Sequence, residues 1–152
     1  MKKTVLFQYQ EIVDKAAKQA VGLSTPPEGW LKTMRKALGM SGAQLGRVLG
    51  VSRSQVAQSE RNELTGAITL KTLHTMAEAM GGRVVYTIVP SERVEALISK
   101  RAKVKARQIV EKTSTHMALE NQALGANSLQ FELRRIEQEL LKEIPSDFWD
   151  DV

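Results

Sequence analysis

The sequence predicts a mainly α-helical protein, and three observations carry that prediction. Apolar residues recur at steps of three and four through most of the 152 residues, which is the spacing of one helix face. Ser41, Ser52, Thr69 and Ser128 each stand just before such a segment, where a hydroxyl can accept a first-turn N–H. Gly22, Gly39, Gly50, the Gly81-Gly82 pair and Pro145 come after others, as helix stops do.

Residues 5–21 form the first helical pattern, with Val5, Leu6, Tyr9, Ile12, Val13, Ala16 and Ala20 on one stripe. Ser24-Thr25-Pro26-Pro27 separates this arm from the central helices. Residues 29–38 form the next helix, with Trp30, Leu31, Met34 and Leu38 expected inward. Ser41 caps a helix over 42–49 that buries Leu45, Val48 and Leu49; Gly50 makes a sharp turn with Val51 beneath it. Ser52 opens a third helix, anchored by Val56, running to about Arg61 and ended by Asn62. Thr69 caps residues 70–80, which turn Leu70, Leu73, Met76, Ala77 and Met80 inward. Met34, Met76 and Met80 read as core filler.

Residues 83–89, RVVYTIV, have the β-branched density of a strand. A lone strand needs a partner, and the simplest is its own copy across a two-fold axis. After Pro90 a long helical pattern covers 91–124, with Val94, Leu97, Ile98, Val104, Ile109 and Val110 on it, and carries Lys100, Arg101, Lys103, Lys105 and Arg107. Ser128 caps a last helix to about Ile144, with Leu129, Leu133, Ile136, Leu140 and Leu141 inward. The domains expected are an N-terminal helical arm at 1–24, a central domain with its terminal strand at 25–90, and a helical partner-binding or dimerisation region at 91–152.

Charge is uneven along the chain. The net charge is +5; residues 1–90 hold twelve Lys/Arg against six Asp/Glu, while residues 113–152 hold three against eight. A basic body suits a phosphate backbone. The basic run at 100–107 fits either a phosphate-flanking role or a solvated face. Phe148 and Trp149, in an acidic tail, fit either a partner or the protein's own core.

Several function classes find no support. There is no cysteine, so disulfides and thiolate metal sites are excluded and a reducing cytoplasm fits. His74 and His116 have no second ligand nearby at metal spacing. There is no Gly-rich phosphate loop and no nucleophile elbow, so neither an enzyme nor a cofactor is expected. The apolar runs are too short for a bilayer or a signal peptide.

The densest information lies at residues 41–62, SGAQLGRVLGVSRSQVAQSERN. Two short helices meet there at a tight glycine turn, and the second presents short polar side chains. That is the pattern of a helix-turn-helix, whose second helix enters the major groove of DNA. Arg53, Ser54, Gln55 and Gln58 stand at its start and on one face. Arg forks onto guanine and Gln onto adenine. Gln44, Arg47 and Ser52 lie where they can bond phosphates. A homodimer would set two such helices about 34 Å apart on a palindromic operator in double-stranded DNA.

These residues resemble the phage-repressor class (Cro-like, XRE) of helix-turn-helix, a domain of the five-helix type. In that class an Arg late in the first helix bonds a Glu late in the recognition helix; Arg35 and Glu60 occupy those places. Many relatives carry a phosphate-binding Gln where this chain has Gly42. The order WLKTMRKALGMSGAQLGRVLGVSRSQVAQSE, then ITLKTLHTMAEAMGGRVVYTIVP, then HMALENQ is similar to the "mobile mystery protein A" family over roughly residues 25–125. Members are small helix-turn-helix proteins typically encoded beside a Fic-domain partner. The resemblance implies a cytoplasmic, antitoxin-like repressor of a shared operon. Residues 116–121 fit either a solvated helix face, with His116 and Glu120 as i,i+4 neighbours, or an inhibitory helix: Fic inhibitors carry Ser/Thr, three residues, Glu, then Gly or Asn, and their Glu forks onto the arginine that holds the ATP γ-phosphate. Here His116 replaces the Ser/Thr, and Glu120 and Asn121 supply the end. Two other roles fit the same residues: mainly a protein-binding inhibitor of a Fic AMP-transferase, or a stand-alone phage-type repressor.

Overall fold

Side-chain hydroxyls at Ser41, Ser52 and Thr69 set the starts of three central helices. The computed structural model describes residues 1–119 and 125–151. Among the described residues there are seven helices: α1 (Lys3–Gln19), α2 (Trp30–Ala37), α3 (Gly42–Leu49), α4 (Arg53–Thr65), α5 (Leu70–Ala79), α6 (Val94–Leu119) and α7 (Ala126–Lys142). The chain divides into two compact units, Val21–Thr87 and Met1–Ala20 with Ile88–Val152.

In the unit Val21–Thr87, Leu31, Leu45, Val56, Met76 and Met80 make the core, with Met40, Leu49, Ile68 and Leu73 packed around them. Burial of each large side chain stabilises the fold by about 1.5–3 kcal/mol. Thr69 caps α5 by accepting the N–H of Thr72 at 3.1 Å. The helix α4 runs past Asn62 to Thr65, beyond the end near Arg61 that the sequence predicts. The left-handed position falls on Gly66, with φ of 77°, which glycine adopts without a Cβ clash. Asn62 instead lends its carbonyl to the N–H groups of Ala67 and Ile68.

Several residues expected inside lie open. Trp30 is 48% exposed and Met34, Leu38, Val48 and Leu70 are exposed with it. Helical spacing identifies the residues that share a stripe, but this unit is too small to cover all of it. The expected strand is absent: residues 83–89 belong to neither helix nor strand. A strand exists only through main-chain bonds to a second segment, and among the described residues this run makes none to another main-chain group.

In the other unit, α6 and α7 form an antiparallel pair: Ile98 lines one cavity with Leu141, and Val110 lines another with Asn127. Ala102 and Ala106 are fully buried beside Ile136 and Leu140; their small side chains permit close helix approach. The α7 helix begins at Ala126 with Gly125 at its N-cap, three residues before the expected cap Ser128. Asp14 of α1 accepts the N–H of Val94 at 3.1 Å and so caps α6. Tyr9 and Ile12 of α1 face solvent, while Leu6 and Val13 are half-buried. Val104 and Leu141 are also partly open.

The tail closes this unit. Phe148 is fully buried in the core. Arg101 Nε donates to the Phe148 carbonyl at 2.8 Å and its Nη2 to the Asp150 carbonyl at 2.7 Å. Lys105, 2% exposed, donates to the carbonyls of Asp147 and Asp150, each at 2.9 Å, and pairs with the Asp147 carboxylate. The basic run is therefore divided: Lys105 and Arg101 hold the tail, Lys100 pairs with Glu92, and Lys103 and Arg107 are exposed. No helix among the described residues is long and apolar enough to cross a membrane.

Candidate nucleic-acid interface

The helices α3 and α4 begin with the same device. The Ser41 hydroxyl accepts the Gln44 N–H at 3.1 Å, and Gln44 Oε1 accepts the Ser41 N–H at 2.7 Å. Ser52 and Gln55 repeat this at 3.1 and 2.8 Å. Each reciprocal cap satisfies two main-chain donors and fixes a glutamine side chain. In both glutamines the capping oxygen is occupied, while Nε2 has no bond within the chain among the described residues. It remains a donor.

The turn between them depends on two glycines. Gly50 takes φ of 70°, and the N–H of Val51 returns to the Gly46 carbonyl at 2.8 Å. A Cβ on Gly46 would lie 2.6 Å from the Val51 carbonyl oxygen, so only hydrogen fits there.

The inward face of α4 is anchored at three points. Val56 is in the core. Arg35 Nε donates to Glu60 Oε1 at 2.6 Å, Arg35 Nη2 donates to Glu60 Oε2 at 3.1 Å, and Arg35 Nη1 donates to the Met40 carbonyl at 2.9 Å. The hydrogen bonds that Arg35 donates to Glu60 raise the Arg35 pKa above its ordinary value, against the opposing effect of burial. Glu63 accepts the main-chain N–H of Trp30 at 2.6 Å and of Leu31 at 2.9 Å. That carboxylate caps α2, whose own N-cap, Gly29, has no side chain to offer.

With both acidic residues turned to this work, the outward face of α4 carries cations and amides. Arg53, Ser54, Gln55, Gln58 and Arg61 are exposed on it. Gln58 is already oriented: its Nε2 donates to Asn62 Oδ1 at 2.8 Å, and its Oε1 accepts from Arg61 Nη2 at 2.8 Å. Gln55, Gln58, Ser59, Lys71 and Thr72 line a depression of about 410 Å³ between α4 and α5. Arg47 and Ser52 are exposed as well. The structure thus gathers Gln44, Arg47, Ser52, Arg53, Ser54, Gln55 and Gln58 onto the motif α3–turn–α4. Sequence reasoning misses Arg61 and Lys71. Arg61 lies three residues beyond Gln58 and seven beyond Ser54, so helical spacing alone would have found it.

The other predicted site falls only in part within the described residues. His116 lies in α6, whereas Glu120 and Asn121 lie outside the described residues.

A helix-turn-helix family model matches residues 31–86. No curated protein and no solved structure matches the chain. Residues 31–86 are thus similar to helix-turn-helix domains of the XRE type, a fold with which transcription regulators bind DNA.

Proposed function

We propose that this protein is a sequence-specific transcriptional repressor that acts as a homodimer on a palindromic operator. The observation that carries the reading is the division of labour on α4. Val56, Glu60 and Glu63 bind it to the domain, so Arg53, Ser54 and Gln58 project from a fixed backbone. A rigid helix with its amides and guanidinium outward is what major-groove readout needs. In this reading Arg53 and Gln58 read base edges. Gln44 and Gln55 donate Nε2 to phosphates, Arg47 and Ser52 join them, and Arg61 and Lys71 extend the phosphate track. No cofactor takes part. The role as antitoxin-like autoregulator beside a Fic-domain partner rests on the sequence resemblance alone.

The test is a titration of the full chain against the DNA upstream of its own gene, with scrambled DNA as competitor at fixed salt. Binding about a thousandfold tighter to the upstream DNA supports an autorepressor. Equal, weak binding to both overturns it and favours the protein-inhibitor role.

A further inference from the structure

Trp30, Met34 and Leu70, which the sequence assigns to the core, lie open in the unit Val21–Thr87. They line one groove of about 400 Å³ together with Leu23, Val85 and Tyr86. Val85 is 77% and Tyr86 67% exposed. Exposed apolar residues gathered in one groove, rather than scattered singly, mark an interaction surface.

We infer that this groove and residues 83–87 are a two-fold interface with a second copy of this chain, a surface that rests on and deepens the dimeric reading above. Two observations select that occupant. The run VVYTI is β-branched and aromatic, yet its main chain bonds no other main-chain group among the described residues; the complement of such a run is another strand. The run also carries apolar side chains at successive positions, Val85 and Tyr86, both open to solvent. Pairing alone covers the strand edge, while the groove beside it accepts side chains from the partner run. A two-fold axis through the paired runs supplies both at once, because each copy presents the same edge and the same groove. The strand that is missing from the single chain forms in the dimer.

The experiment is sedimentation of the full chain without DNA, for the wild type, Val85→Pro and Tyr86→Ser. Val85→Pro removes an N–H that has no main-chain acceptor among the described residues, and circular dichroism checks that the helices persist. The expected result is a wild-type species of twice the 16.9 kDa chain mass, with each variant weakening the dimer about tenfold or more. The chain has no cysteine, so single substitutions Val85→Cys, Tyr86→Cys and Thr87→Cys extend the test. Antiparallel self-pairing predicts an intermolecular disulfide whose yield peaks at one of the three. A wild type that stays monomeric to about 100 µM, or a dimer that neither Val85→Pro nor Tyr86→Ser weakens, overturns the inference. Failure of the regulatory reading is distinguishable: a monomer that still selects an operator half-site overturns only the interface, and a dimer without sequence preference overturns only the reading.

Discussion

Arg35 and Glu60, 25 residues apart, meet in a two-pronged ion pair at 2.6 and 3.1 Å that joins α2 to the inner face of α4. Both side chains are nearly buried. Removing one partner leaves the other charge without compensation, and the desolvation penalty is then unopposed. Glu60→Ala should destabilise the unit by about 3 kcal/mol, and the double substitution Arg35→Met with Glu60→Leu should recover most of that. Trp30 lies in this unit and Trp149 in the other, so urea unfolding in a Trp149→Phe background reads this unit alone.

Gly46 sets the closeness of α3 to the turn. Gly46→Ala places a Cβ against the Val51 carbonyl oxygen and should cost about 1–3 kcal/mol, weakening DNA binding as α4 is displaced. Gly42→Ala is the control. Its Cβ meets nothing closer than 3.7 Å, so its stability should stay within about 0.5 kcal/mol of wild type. Equal effects of the two in the same unfolding assay would refute the packing argument.

The tail is structural. Phe148→Ala empties a fully buried site and should cost about 3–5 kcal/mol. Lys105→Met keeps the stem but removes the donor from two carbonyls, at about 1–3 kcal/mol. Trp149 fluorescence in a Trp30→Phe background tracks both, and a tail that frays without lowering unfolding stability would contradict this role.

Much of the fold is legible in the sequence where the chemistry is local. Ser41, Ser52 and Thr69 mark helix starts because a hydroxyl caps its own neighbours. Gly50 marks the turn because few other residues accept its φ. The parts that are not legible depend on distance. Glu63 caps a helix start 33 residues away, and no spacing rule reports that. The inward places of Lys105 and Phe148 come from the tail folding back, and a charge run read alone looks solvated. Trp30, Met34 and Leu70 show the same limit: periodicity aligns them on a face but does not say what covers it.

Arg61 distinguishes a phosphate contact from a base reader. Arg61→Ala should weaken binding to all sequences alike and lower the slope of log affinity against log salt by about 1. A loss confined to particular base pairs, seen in titrations across salt concentrations, would move Arg61 into the reading set. It would also make its bond to Gln58 part of specificity.

The central claim is that α4 reads bases through Arg53 and Gln58. It is tested most directly by measuring affinity for every single-base variant of the operator, with the wild type, Arg53→Ala and Gln58→Ala. The prediction is that each substitution abolishes discrimination at its own position in each half-site, a loss of about 1–3 kcal/mol there, and leaves the other positions discriminated as before. A uniform loss across all variants would contradict it, and would place both side chains on the phosphate backbone.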